Sequence, residues 1–205
     1  MPKKKPVSEP AIALRDACVI AAREVIAEHG VENLSLRDVA RKLGVSHQAP
    51  YKHYASRDHL LAEVMRRCFE GFAAHLDARH HFEDPEQDLE SLGQQYLCYA
   101  VEHPLEYRLM FGTPWPASAE HPGLVKDAVH AFDVLRQVLR RIHGPAASKR
   151  DLVELDALFI WSSMHGVAGV MHGSCIDKLN LSTQVLKQAM EHVMKRVGAG
   201  LSAKL

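Results

Sequence analysis

Cationic side chains are concentrated between residues 37 and 57 of the sequence. This segment carries a formal charge of +4, whereas the whole chain balances 25 Lys and Arg against 25 Asp and Glu. The charged residues concerned are Arg37, Arg41, Lys42, Lys52 and Arg57, with Asp38 as the one acid. Neutralised phosphates supply much of the affinity of proteins for DNA, and a local cluster of Lys and Arg is the footprint of that chemistry. The segment therefore predicts phosphate binding.

Catalytic patterns are missing from the sequence. It contains no G-x-S-x-G, P-loop or G-x-G-x-x-G pattern, and no spacing of Ser, His and Asp singles out a triad. His165 and His172 lie two turns apart on one apolar stretch, which suggests either metal ligation or hydrogen-bonded core or interface histidines. We favour the second interpretation because no H-E-x-x-H motif or Cys/His cluster accompanies them. We expect no enzyme, no metal and no cofactor.

The four cysteines, at positions 18, 68, 98 and 175, show neither C-x-x-C nor zinc-ligand spacing. They predict reduced thiols in a cytoplasmic protein, with a redox-sensing pair as the weaker alternative. The uncharged stretch from Ala157 to Ile176 is about as long as a membrane span. Its serines, histidines and glycines favour a buried interface helix instead, so we expect no membrane partner.

Two short helices joined by a tight turn must position the basic segment. Ser35 is a good N-cap for a helix over Leu36–Leu43, and Gly44 supplies the residue that ends it. Ser46 is then placed to cap a second helix, His47–Tyr54. This arrangement predicts a helix-turn-helix unit, whose second helix enters the major groove of DNA.

The run from Leu34 to Leu61, LSLRDVARKLGVSHQAPYKHYASRDHLL, resembles the DNA-binding signature of TetR-family transcriptional repressors. It departs from that signature at Pro50, where an aliphatic residue is commoner. The resemblance implies that Arg37 lies near a base or phosphate and that Arg57 contacts the DNA backbone. It further implies that residues of the second helix read base edges or hold phosphates: Ser46, His47, Gln48, Ala49, Tyr51, Lys52 and His53.

Helical periodicity and helix caps continue through the rest of the chain, with no strand-like alternation. We predict an all-α fold of about nine helices. Residues 1–56 would form the DNA-binding domain, with a basic tail over residues 1–7, and residues 57–205 a helical ligand-binding and dimerisation domain. A long helix from Arg57 to about His80 would connect them.

A helix-turn-helix head reads one half-site, so two heads must be held together in a homodimer. The uncharged stretch predicts the interface, where Gly166 and Gly169 allow close helix approach and Val170 adds apolar area. The segment Trp161–Gly169, WSSMHGVAG, also resembles a Trp…His-Gly helix found in one subgroup of TetR-like C-terminal domains.

Aromatic residues are frequent in the second half of the chain, where they predict either an apolar ligand pocket or an ordinary core. The family resemblance favours the pocket. The candidate ligand contacts are Tyr99, Tyr107, Phe111, Trp115, Trp161 and His165. The leading hypothesis is a repressor that a small, largely apolar molecule releases from a palindromic operator. The alternatives are a DNA-binding regulator of the same fold without a ligand, or an all-α enzymatic or metal-binding bundle.

Overall fold

The computed structural model describes residues 9–144, 150–173 and 176–202. Across these ranges the chain forms α-helices and short 3-10 turns, with no strand, which confirms the all-α prediction. The helices are α1 Glu9–His29, α2 Leu36–Leu43, α3 Arg57–Asp77, α4 Pro85–Glu102, α5 Pro104–Phe111, α6 Pro122–His143, α7 Arg150–His172 and α8 Thr183–Ser202. The basic tail and Cys175 lie outside the described residues.

Helix α2 begins and ends as its sequence predicts. The Ser35 hydroxyl accepts a hydrogen bond from the Asp38 N–H at 3.1 Å. At the other end Gly44 takes the left-handed conformation, with φ 66°. The following Val45 N–H reaches back to the Ala40 carbonyl at 3.1 Å, which closes a Schellman-type cap. These two caps fix the point from which the next segment leaves α2.

The predicted second helix, His47–Tyr54, is wrong as an α-helix. Residues 47–49 form a turn, and a 3-10 turn follows over Pro50–Lys52. Pro50 has no N–H to donate to the Ser46 carbonyl, so the chain closes shorter loops, with the Ala49 N–H bonded to the Ser46 carbonyl at 2.9 Å. This segment and the eight α-helices of the described ranges lie at the nine places where the sequence predicts helices.

The described chain forms two compact units. The first contains residues 9–69 together with Arg108–Lys126, and the second contains Glu70–Tyr107 together with the described residues after 126. This division by contacts does not follow the predicted functional boundary after residue 56, which remains a prediction. Helices α3, α5 and α6 each contain residues of both units.

The core of the first unit forms where α1 and α2 pack together. Ile26, Val39 and Leu60 are fully or almost fully buried there. On the same unit Arg67 of α3 forms ion pairs with Asp16 of α1 and with Glu63 one turn earlier. The Arg67–Asp16 pair holds the first half of α3 against α1.

In the second unit α4, α7 and α8 pack against one another. The side chain of Asp88 on α4 is completely buried, yet it is charged and paired with Arg79 and Arg141. The pKa of Asp88 reflects a balance: burial pushes it upward, but the two guanidiniums and the Phe82 N–H outweigh burial, so the pKa is lowered. Across the described ranges, no helix has the length and hydropathy needed to cross a membrane.

Candidate nucleic-acid interface and candidate ligand site

The segment between α2 and α3, residues 46–53, is called the recognition segment below. Ser46, His47 and Gln48 are exposed, and Ala49 is half-buried. Later in the segment Tyr51 and Lys52 are exposed, and His53 is half-buried. The predicted base-reading and phosphate-binding side chains therefore lie close together in sequence and mostly face solvent, although the backbone under them is a pair of turns rather than an α-helix.

Buried side chains hold the recognition segment on the first unit. Pro50, which departs from the resembled signature, is buried. Tyr54, the residue directly after the segment, is also buried, and its hydroxyl donates to the Arg15 carbonyl of α1 at 3.1 Å. Burial raises the pKa of Tyr54, so the hydroxyl keeps its proton for this bond. The segment is therefore fixed by packing underneath while its polar side chains remain accessible.

Three of the five cations between residues 37 and 57 are paired with carboxylates. The pairs are Arg41 with Asp38 at 2.7 Å, Lys42 with Glu28 at 2.7 Å and Arg57 with Asp58 at 3.0 Å. Arg37 and Lys52 are exposed, and within the described part of the chain no ion pair joins either of them to an acidic residue. These two cations are therefore the ones most available for phosphate.

Arg57 also has a structural role that sequence reasoning missed. Its guanidinium donates to the Val31 carbonyl at 2.6 Å and to the Leu34 carbonyl at 3.2 Å. Those carbonyls belong to the connection between α1 and α2, so Arg57 ties this connection to the first residue of α3. The predicted contact of Arg57 with the DNA backbone remains a prediction.

In the second unit the structure brings together four aromatic side chains with polar atoms. The Tyr96 and Tyr107 hydroxyls are 2.9 Å apart, and the Tyr107 hydroxyl lies 2.6 Å from Nδ1 of His165. The Trp161 and His165 rings, one helical turn apart on α7, have centroids 5.8 Å apart. Three of the six predicted ligand contacts, Tyr107, Trp161 and His165, thus lie together with Tyr96.

Burial keeps this group uncharged at neutral pH. It raises the pKa of Tyr96 far above its ordinary value and raises the pKa of Tyr107 to about 12. Burial also lowers the pKa of His165, which favours the neutral imidazole. A neutral His165 has one ring nitrogen that accepts and one that donates, so the Tyr107 hydroxyl can donate to Nδ1 while Nε2 carries the proton.

Tyr99, a fourth predicted contact, belongs to the same unit and extends this group. Its ring packs against Phe72 at 5.0 Å, His75 at 5.3 Å and His103 at 4.5 Å between centroids. Phe72 also packs against Tyr96 at 5.5 Å, which joins the two sets of rings. We call the whole set the aromatic cluster: Phe72, His75, Tyr96, Tyr99, His103, Tyr107, Trp161 and His165.

Sequence reasoning missed Phe72 and His75 as members of the aromatic cluster. Both lie on α3, three residues apart and therefore on one helix face. That spacing was a usable signal, because α3 was already predicted as the long helix that connects the head to the body.

The structure does not place Phe111 and Trp115 in the aromatic cluster. Both belong to the first unit, where their rings pack on Phe69 of α3 at 5.7 and 5.3 Å. The Trp115 indole N–H donates to the Met110 carbonyl at 3.0 Å. Phe111 and Trp115 thus anchor the segment after α5 on α3, and their predicted ligand contact remains a prediction.

One face of α7 exposes apolar and small residues. Leu158, Phe159 and Val170 are each about half exposed. Side-chain atoms added at Gly166 or Gly169 would meet nothing within 4 Å. The predicted interface residues Gly166, Gly169 and Val170 therefore lie on an open face of the protomer, as a dimer interface requires.

The histidines and cysteines reveal no metal or redox centre within the described ranges. No group of three or more His, Cys, Asp or Glu side chains suited to a metal occurs among the described residues. Cys18 and Cys68 are buried thiols. Burial raises the pKa of the Cys68 thiol to about 11, which makes it a poor nucleophile. The side chain of His172 lies outside what the structure describes, so the pairing of His165 with His172 on a metal is not tested.

Two family models match the sequence. Residues 19–64 match the model described as bacterial regulatory proteins, tetR family, and residues 89–174 match the tetracyclin repressor-like C-terminal domain. Together they cover well over half of the chain. The HTH-type transcriptional regulator Rv1816 of Mycobacterium tuberculosis is 28% identical over 117 residues, which are 54% of this chain and 50% of Rv1816. The chain thus spans about half the length of the curated relatives it matches.

Solved structures share the fold. The protein SCO4313 aligns with a TM-score of 0.75 and 22% identity, over 94% of this chain and 98% of its own. The fatty acid degradation regulator FadR from Bacillus halodurans aligns with a TM-score of 0.66 and 16% identity, over 98% of this chain and 100% of FadR. A TetR variant from Acinetobacter baumannii AYE, solved in complex with minocycline, aligns with a TM-score of 0.61 and 16% identity. The alignment covers 97% of this chain and 100% of the TetR variant. At these identities the likeness concerns the fold.

Proposed function

The chain belongs to the TetR family of bacterial transcriptional regulators, and on that premise we propose that it is a cytoplasmic homodimeric repressor without enzymatic activity. In this proposal it binds a palindromic operator and is released by a small, largely apolar molecule. The observation that carries the proposal is the recognition segment, whose polar side chains are exposed above a buried framework.

DNA recognition divides between two sets of side chains. Gln48 and His47 are exposed at the first turn of the recognition segment, where their amide and imidazole groups can hydrogen-bond base edges. Lys52 and Arg37 neutralise phosphates, which contributes affinity without sequence preference. Arg41 and Lys42 form ion pairs within the protein, so they contribute less to phosphate binding in this proposal.

Dimerisation places two recognition segments on one operator. The exposed face of α7 offers apolar area at Leu158, Phe159 and Val170 and close approach at Gly166 and Gly169. A second copy of α7, with α8 beside it in each protomer, forms a four-helix bundle in this proposal. The two-fold axis of such a dimer matches the symmetry of a palindrome.

The ligand acts through α3. This helix is 21 residues long, about 30 Å, and it begins at Arg57, with three residues between it and the end of the recognition segment. Phe72 and His75 near its C-terminal end belong to the aromatic cluster, so a molecule bound there contacts α3 itself. We infer that binding favours a conformation with α3 displaced, in which the recognition segments leave the spacing of successive major grooves, ~34–36 Å. The solved complex of the Acinetobacter TetR variant with minocycline supports a ligand on this fold.

Selection of tightly bound duplexes from a random pool, followed by screening of metabolites for release of the selected DNA, tests the proposal. The expected result is a palindrome and at least one molecule that weakens binding, with a coupling of about 1–3 kcal/mol. Because coupling is reciprocal, operator must weaken ligand binding by the same factor. A ligand with equal affinity for free and DNA-bound dimer would contradict release, and failure to select any sequence would contradict operator binding.

A further inference from the structure

The aromatic cluster contains a buried polar atom that the structure leaves without a hydrogen bond. Nε2 of His75 is buried, and no described residue lies within hydrogen-bond reach of it. The ring is surrounded by other rings, with Tyr99 at 5.3 Å and His103 at 6.4 Å between centroids. A buried nitrogen of this kind is normally paired with protein, water or a ligand, so its position marks a place for a polar group.

The other polar atoms of the aromatic cluster form an uncharged chain. The Tyr96 hydroxyl, the Tyr107 hydroxyl and Nδ1 of His165 follow one another at 2.9 and 2.6 Å. Burial holds both phenols protonated and disfavours the imidazolium form of His165. A formal charge placed among these groups gains hydrogen bonds from them but no opposite charge.

Among the described residues, the buried charged side chains of the second unit, Arg79 and Asp88, already have partners. Asp88 is paired with Arg79 and Arg141. Arg136 forms ion pairs with Asp133 and Glu154. A buried charge without a counter-charge is strongly disfavoured, so a charged ligand in the aromatic cluster would have to disrupt one of these pairs or remain uncompensated.

We propose that the effector is an uncharged aromatic or alicyclic molecule that carries a hydroxyl group, and that this hydroxyl pairs with Nε2 of His75. A hydroxyl both donates and accepts, so it satisfies the nitrogen in either tautomer of the ring. In this proposal the apolar body contacts the rings of Phe72 and Tyr99, which lie with His75 in the aromatic cluster. This inference rests on the proposed function, because it specifies the ligand class of the same site and assigns its recognition to α3.

Four naphthalene probes of similar size test this ligand class on the full-length protein. They are naphthalene, 2-naphthol, 2-naphthoate and 2-(aminomethyl)naphthalene, and calorimetry or quenching of tryptophan fluorescence reports their binding. We expect 2-naphthol to bind about tenfold or more tightly than either charged probe, because those probes lose their hydration without gaining a counter-charge. Equal or tighter binding of a charged probe, or no binding of any probe up to its solubility limit, overturns the proposal.

Two variants separate recognition by His75 from general packing. His75→Phe keeps a ring and removes Nε2, so the affinity for 2-naphthol should fall to that for naphthalene while naphthalene binding persists. His75→Gln keeps a hydrogen-bonding group and should restore part of the preference for the hydroxyl. An unchanged preference in His75→Phe overturns the assignment. If 2-naphthol binds as expected but operator DNA is not released, release by ligand fails while the ligand class and the role of His75 stand.

Discussion

The recognition segment and the aromatic cluster hold their polar atoms in opposite ways. In the recognition segment buried Pro50, together with buried Tyr54 directly after the segment, fixes the backbone, and the polar side chains project into solvent. In the aromatic cluster Tyr96 and Tyr107 are buried, and Tyr96, Tyr107 and His165 hydrogen-bond one another, although Trp161 is partly exposed. The first arrangement suits a large charged partner that brings its own water and counterions. The second suits a small neutral partner that must be stripped of water.

The difference also concerns how the two regions are assembled. The recognition segment depends on caps and turns within a few residues, such as the Gly44 cap and the Ser46 turn. The aromatic cluster joins side chains from α3, α4, α5 and α7, far apart in sequence. Substitutions of buried groups in the second unit should therefore act on folding, assembly or ligand binding, whereas substitutions of exposed side chains in the recognition segment should act on DNA binding with the fold intact.

The largest effect is expected from Gly169→Glu on the exposed face of α7. In the proposed dimer it buries an unpaired charge, so it should give monomers or aggregates and abolish operator binding. Sedimentation velocity and DNA binding measure both outcomes. Val129→Glu is the matched control, since it adds the same charge at an exposed apolar position on α6. An intact Gly169→Glu dimer would place the interface elsewhere.

Removal of the buried carboxylate at position 88 should destabilise the second unit severely. Asp88→Ala leaves the buried guanidinium of Arg79 without its partner, a change that costs about 3–5 kcal/mol of unfolding free energy. Chemical denaturation measures it, with Asp77→Ala as control because Asp77 is exposed and makes only a 3.8 Å contact with His130. A loss no larger than that of the control would show that the ion pairs contribute little.

The pH dependence of the same carboxylate has a defined sign. The pKa of Asp88 is lowered in the folded protein. The stabilisation that its carboxylate contributes is therefore complete above the pKa of the unfolded state, about 3.9. It is lost as pH falls through the folded pKa, when the carboxylate takes up a proton. The difference in unfolding free energy between the parent and Asp88→Asn should therefore be constant above about pH 5 and shrink below pH 4. A difference that grows on acidification would contradict the lowered pKa.

Replacement of Gln48 should impair the reading of bases without affecting the fold. Gln48→Ala is expected to cost about 1–3 kcal/mol on the preferred operator and to relax sequence preference at one position of each half-site. Thermal unfolding should be unchanged, because the side chain is exposed. Competition binding across single-base variants of the operator measures the preference. An equal loss of affinity for all DNA sequences would show that Gln48 contacts the DNA backbone rather than the bases.

The smallest effect is expected from Lys52, which should contribute affinity but no specificity. Lys52→Gln should weaken binding to all DNA sequences alike. It should also reduce the slope of log affinity against log salt concentration by about one per protomer. Lys126→Gln, at a position on α6 outside the recognition segment, is the control. A changed sequence preference with an intact salt slope would show that the docking of the recognition segment is different.

The sequence predicts correctly those structural features, such as helix caps, that depend on residues close together in the chain. The Ser35 and Gly44 caps follow from local chemistry and are confirmed. The α-helix predicted over His47–Tyr54 is wrong because one missing N–H, at Pro50, changes the hydrogen-bond pattern. The grouping of Tyr107 with His165 depends on tertiary packing, which periodicity on a single helix cannot reveal. For the same reason Phe111 and Trp115 were grouped with residues that the structure places in the other unit.

The central claim is that two protomers read two half-sites of one operator. The most direct measurement titrates the full-length protein onto its selected palindrome and onto the same duplex with one half-site randomised, with fluorescence anisotropy and stoichiometry recorded at one salt concentration. We predict two protomers on the palindrome and a loss of about 2–5 kcal/mol when one half-site is randomised, since specific binding exceeds non-specific binding by ~4–10 kcal/mol and one half-site supplies about half of that difference. Equal affinity for both duplexes would contradict the account.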